Sequence, residues 1–128
     1  MTAAVQRIRM GFVGGGAGAL IGQAHRQAAG LDGRFELVCG AFSRNPDNNR
    51  DTGTTLGLPA SRCYSDWQHM LTAEHALPVD QRMELLIIVT PNHLHAPIAT
   101  QALKLGFHVF SEKPAALDLA QVQALAEV

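Results

Sequence analysis

Nine residues near the start of the chain, Gly14-Gly15-Gly16-Ala17-Gly18-Ala19-Leu20-Ile21-Gly22, hold five glycines. Glycine at this density weakens both helix and strand and favours a sharp turn. The segment is bounded by Ile8–Val13 (IRMGFV), a short apolar run that reads as a buried strand. It leads into Leu20–Gly30 (LIGQAHRQAAG), a run of helix formers whose last glycine suits a C-cap. A glycine turn between a buried strand and a helix is a cradle for phosphate. One glycine permits the turn, one lets the backbone approach a pyrophosphate, and one lets helix and strand pack closely. Free N–H groups and the helix dipole then attract the anion. In the spacing G-x-G-x-x-G, Gly14 and Gly16 match the first two positions. The third falls on Ala19, or on Gly22 after a three-residue insertion. A glycine turn without a ligand remains the plain alternative.

The rest of the chain repeats the strand–helix alternation. Phe35–Phe42 reads as a second strand, Pro46–Leu56 as a polar helix, and Arg62–Tyr64 as a short strand. Ser65 and Asp66 offer N-cap oxygens to a helix from Trp67 to His75, with Trp67, Met70 and Leu71 on one core face. Glu84–Val89 (ELLIIV) is apolar throughout, as a central parallel strand is. A helix with Pro97 in its first turn ends at Leu105-Gly106, and Phe107–Phe110 forms a fifth strand. Asp118 opens a last helix. The order predicts an α/β fold: a Rossmann-type, doubly wound parallel sheet with helices on both faces, as one domain over residues 1–128. Ligands in such sheets sit beyond the carboxyl ends of the strands, so the residues that follow each strand are the candidates.

After the second strand a dinucleotide site that binds NAD places Asp or Glu against the ribose hydroxyls. This chain reads Ala41-Phe42-Ser43-Arg44-Asn45 instead, and its first acid is Asp47. Ser43 and Arg44 are donors, and a guanidinium pairs with phosphate, which favours NADP over NAD. The competing reading is a solvated Arg44 in an Asn45-Pro46-Asp47 turn. After the fourth strand come Thr90-Pro91-Asn92-His93-Leu94-His95. Pro91 stiffens the exit and Asn92 offers donor and acceptor toward a nicotinamide or ribose. His93 reads as capping or packing, and His95 equally as packing or cofactor contact. No further ligand cluster supports a metal at H-x-H. After the fifth strand come Ser111-Glu112-Lys113-Pro114. The chain has two lysines, Lys104 on a surface helix and Lys113 at the ligand edge. An ammonium there can hold a substrate hydroxyl and stabilise oxyanion charge. Its alternative is a salt-bridged lysine at a strand end.

These segments together resemble the N-terminal domain of the Gfo/Idh/MocA oxidoreductases. The resemblance rests on GGGAGALIG with His25 three residues beyond Gly22, on Ser65-Asp66-Trp67 with Met70-Leu71, on TPNHLH and on EKP, in order over essentially all 128 residues. It aligns Gly22 as the third glycine, although the glycine loop is longer than the common pattern. It implies an NAD(P)-dependent dehydrogenase of sugars, inositols or related polyols. Pro91 and Asn92 would lie near the nicotinamide ribose, Lys113 would touch the reacting hydroxyl, and Glu112 would orient that lysine. It also implies a second domain, outside these 128 residues, that supplies a histidine acid/base and associates the protein into a homo-oligomer.

Composition narrows the partners. At 47% apolar, 16% charged and a net charge of −1, the chain is globular and offers no electrostatic case for nucleic acid or an anionic membrane. Met10–Gly22 behind Arg7 and Arg9 mimics a signal peptide, but it is too rich in glycine. It is also shorter than the ~20 residues of a membrane span. Cys39 and Cys63 are isolated and read as small buried hydrophobes of a reduced, cytoplasmic protein. Two other readings share the glycine loop: a nucleotide-binding regulatory or sensor module, which has no need of Lys113, and a methyltransferase-type site, which wants an acid at the end of the second strand.

Overall fold

The computed structural model describes residues 6–128. Its sheet has four parallel strands, β1 (Ile8–Gly14), β2 (Phe35–Ala41), β3 (Leu85–Val89) and β4 (His108–Ser111), in the order β2-β1-β3-β4. The helices are α1 (Leu20–Gly30), α2 (Pro46–Thr55), α3 (Trp67–Ala76), α4 (His95–Lys104) and α5 (Leu119–Ala126). A parallel strand needs a crossover, and here α1 to α4 supply them. Because side chains alternate along a strand, two separate cores form. Val13, Leu86 and Ile88 face Met70 and Leu71 of α3 and Ile98, Ala99 and Ala102 of α4. Met10, Phe12, Ile87 and Val89 face the other way, toward Ala29 of α1 and Leu56 beyond α2. The doubly wound architecture is therefore as expected, with β3 buried between β1 and β4.

Two local expectations need correction. The predicted strand Arg62–Tyr64 is reduced to one parallel bridge, Gly40 to Cys63, so four strands form rather than five. A 3-10 turn at Ala60–Arg62 takes the Cys63 N–H, and Arg62 is drawn away to Glu74. Only Tyr64 N–H is left to reach Gly40 O, at 2.8 Å. At the end of α1, Gly30 remains helical, Leu31 is the cap, and the reversal falls at Gly33 with φ +70°.

Two aspartates read from the sequence as helix starts do cap. Asp66 accepts from His69 N–H and opens α3, and Asp118 accepts from Gln121 N–H and opens α5. Asn45 accepts from the N–H groups of Asp47 and Asn48, with Pro46 at the first position of α2. A polar knot joins this side of the molecule. Glu74 of α3 is fully buried and receives four hydrogen bonds: two from Arg62, one from Tyr64 Oη and one from Met83 N–H, at 2.6–2.9 Å. Every carboxylate lone pair that matters is satisfied, as a buried charge requires. Burial and the neighbouring carboxylate push the Tyr64 phenol well above its usual value, so it stays a donor. Replacing Glu74 by Ala would strand the Arg62 guanidinium and the Met83 N–H. We expect a loss of about 3 kcal/mol of stability, measured by urea unfolding.

Candidate dinucleotide site

The site is built from the carboxyl ends of the strands. β1 ends at Gly14, where φ is +85° and a Cβ would lie 2.7 Å from Val89 O, which leaves no room for a side chain. The chain then turns through Gly15–Ala19 into α1. Gly22 is buried on the first turn of α1, and a Cβ there would lie 2.5 Å from Gly15 Cα. That is the close helix–loop packing demanded of a third glycine. The geometry supports Gly22 over Ala19, which is the N-cap of α1. Gly16 is buried against the exit of β2, its N–H donating to Phe42 O at 3.1 Å.

Ala19 brings no capping side chain to α1. The N–H groups of the first turn, from Leu20 to Gly22, therefore face outward without intrahelical partners. The Ala17 N–H, by contrast, is already engaged by Asn48 Oδ1 at 3.0 Å and Thr52 Oγ1 at 3.1 Å, both from α2. Arg26, one turn beyond Gly22, donates to Gly15 O at 2.9 Å and lies over the Phe12 ring. Burial lowers its pKa, and the carbonyl and the ring offset the lost hydration. The loop is thus clamped from α2 on one side and from α1 on the other.

A crevice of about 500 Å³ opens beside this loop. Of the residues singled out in the sequence, Gly14, Gly16, Ser43, Arg44, Thr90 and Pro91 line it. Gly22 lies behind the loop rather than on the wall. Asn92 is exposed at the start of a 3-10 turn, Asn92–Leu94, on the same rim. His93, read as packing, is exposed and lines the crevice. Sequence reasoning missed three contributors. Asn48 and Thr52 sat in a polar helix with no apparent task, and Trp67, assigned to the core, also forms part of the wall with Asp66. Only the positions of α2 and α3 relative to the loop reveal them.

His95 corrects an expectation. It was a candidate cofactor contact, yet it is 1% exposed. Its Nδ1 faces Pro114 O at 2.7 Å and its Nε2 faces Thr90 O at 2.9 Å. Neither ring nitrogen is left for a ligand. The ring instead straps the exit of β3 to the exit of β4.

Glu112 and Lys113 follow β4 on the same rim as the glycines, because all four strands run parallel. Glu112 Oε1 lies 2.6 Å from Nε2 of His25, and Oε2 accepts the Lys113 N–H at 3.3 Å. The bond from His25 holds the Glu112 carboxyl below its usual range. Its side chain therefore meets His25 and the main chain at Lys113, rather than the crevice. Among the described residues, neither Arg44 nor Lys113 is in an ion pair, and both are exposed. The salt-bridged alternative for Lys113 is therefore not what the structure has. No group of three or more metal-ligating side chains occurs among the described residues, and no described helix is long and apolar enough to cross a membrane.

Donors near the crevice are the first-turn N–H groups of α1 and the Arg44 guanidinium on its wall, while Lys113 lies outside the lining. Comparisons with known proteins agree. The model of an oxidoreductase family with an NAD-binding Rossmann fold, Gfo/Idh/MocA, matches residues 8–128. The uncharacterized oxidoreductase YfiI of Bacillus subtilis (strain 168) is 40% identical over 124 residues, 94% of this chain and 31% of its own. An oxidoreductase from Sinorhizobium meliloti superposes with a TM-score of 0.86 at 44% identity, over 95% of this chain and 33% of its own. An inositol dehydrogenase homolog from Azotobacter vinelandii, solved with NADH and myo-inositol, superposes with a TM-score of 0.90 at 39% identity, over 95% of this chain and 32% of its own. The chain thus spans about a third of the length of each.

The tight approach at Gly22 yields a prediction. Gly22→Ala should force the loop off α1, costing about 1–3 kcal/mol of stability in thermal or urea unfolding. It should also weaken binding of NADPH and NADH alike, as titration calorimetry would read.

Proposed function

This chain belongs to the Gfo/Idh/MocA oxidoreductase family, whose NAD-binding Rossmann domain it matches over residues 8–128, and on that premise we propose that it is the cofactor-binding domain of a dehydrogenase of polyols or sugars that favours NADP(H). The observation that carries the reading is the placement of an unpaired Lys113 on the rim that also holds the glycine loop. The bound myo-inositol and NADH of the Azotobacter vinelandii homolog support a polyol as the substrate class.

In this reading the N–H groups at the start of α1 hold the diphosphate. Arg44 and Ser43, beyond the end of β2, meet a 2′-phosphate, since no carboxylate occupies the position that would accept ribose hydroxyls. Thr90, Pro91 and Asn92 border the nicotinamide end. When bound, the cofactor supplies a ring carbon that gives or takes hydride. The Lys113 ammonium binds the substrate oxygen and stabilises the negative charge it gains as its proton leaves. The group that moves that proton, the remaining substrate contacts and the surfaces for self-association are assigned to the part of the relatives' length that this chain does not cover. The 128 residues alone then bind nucleotide without turning over a sugar.

Two measurements test the reading. Arg44→Ala should weaken NADPH about tenfold or more, the worth of a charge-assisted phosphate contact, while NADH binding changes little. Equal effects on both nucleotides would remove the NADP assignment. Lys113→Ala in the full-length protein should lower kcat for polyol oxidation about 10²–10³-fold with NADPH affinity retained. An unchanged rate would favour the regulatory or sensor reading.

A further inference from the structure

We infer that His25 is a positioning residue for Lys113, acting through the Glu112 carboxylate. The inference rests on the function just proposed for Lys113, but its geometry stands independently. A carboxylate only accepts, so the 2.6 Å contact requires a proton on His25 Nε2. The other carboxylate oxygen takes the Lys113 main-chain N–H. The Glu112 N–H in turn donates to Ile88 O at 3.0 Å, extending the β3–β4 pairing by one residue. Glu112 is therefore fixed at its backbone by the sheet and at its carboxylate by α1. The next residue, Lys113, inherits that fixed origin. His25 is itself held: the Phe110 ring of β4 meets it edge to face, centroids 5.3 Å apart. Both members of the pair are about three-quarters shielded, at 22% and 25% side-chain exposure. A charge-assisted hydrogen bond in that setting is stronger and more directional than one in open water.

The location of His25 gives the contact its consequence. It lies three residues beyond Gly22, on the helix that follows the crevice-lining glycine loop. Arg26, its neighbour, grips Gly15 O from the same turn. One helical turn thus holds the phosphate loop with one side chain and the lysine loop with the next. The backbone of the glycine loop and the backbone at Lys113 are thus both tied to one helix.

The chain has two lysines, Lys104 and Lys113, so selective 15N-lysine labelling gives two backbone amide signals. Lys113 reports its Glu112 hydrogen bond, and Lys104, on α4, serves as the control. In the unaltered chain the Lys113 amide shift should follow a carboxyl that titrates below the usual Glu value of about 4.3. In His25→Ala the midpoint should rise toward that value and the shift should move upfield, with Lys104 unmoved. His25→Gln, which keeps an N–H donor, should recover part of the effect. A Lys113 signal identical in His25→Ala and the unaltered chain would overturn the proposal.

A second arm follows NADP+ reduction with myo-inositol by the full-length protein. His25→Ala should lower kcat about ten- to a hundredfold with little change in KM, and should cost nothing further once Lys113 is Ala. Equal losses in both backgrounds would also overturn it. No turnover by the unaltered protein would count against the proposed function, and the amide signals would still decide the role of His25.

Discussion

The structure depends on two backbones touching. Gly22 of α1 and Gly15 of the preceding loop approach so closely that a Cβ on Gly22 would sit 2.5 Å from Gly15 Cα. Glycine is the residue that permits this, because any side chain would push the helix off the sheet edge. The contact sets the tilt and height of α1 over the end of β1. With α1 set, Arg26 reaches Gly15 O, and His25 reaches Glu112 beyond β4. A change in that packing distance would alter the anion site and the lysine loop together.

A second theme is how little of the site is left to exposed loops. The glycine loop is bound by Asn48 and Thr52 from α2. The exit of β2 is bound by Asn49, whose amide joins Phe42 N–H to Tyr64 O at 2.7 Å each. His95 ties the exits of β3 and β4. Each strap is a polar side chain that meets main-chain groups of a neighbouring segment. Such bonds are modest singly but costly to leave unmade. They leave the exposed cations, Arg44 and Lys113, without carboxylate partners among the described residues. A chain with net charge −1 thereby keeps an unpaired Arg44 on the crevice wall and an exposed Lys113 just beyond β4.

Much of this was readable along the chain. The runs IRMGFV, FELVCGAF and ELLIIV became β1, β2 and β3, since an apolar stretch bounded by glycines or polar residues has few places to go but a buried strand. Asp66, Asp118 and Pro46 marked helix starts because caps act within three residues. The short strand Arg62–Tyr64 was misread for the opposite reason. Its fate turned on Glu74, twelve residues away from Arg62, which won the guanidinium and bent the segment out of extended pairing. His95 was undecided in the sequence. Its burial comes from Thr90 O and Pro114 O, carbonyls that belong to two different strand exits.

Sequence by itself determined the alternation of strands and helices, the parallel sheet that follows from it, and the glycine turn at its ligand edge. Those are effects of period, chirality and local sterics, which act over a few residues. Tertiary structure decided which glycine packs the helix, that α2 clamps the phosphate loop, and that His25 meets Glu112 across 87 residues. Those outcomes depend on how far one element lies from another, and no local spacing encodes a distance between elements.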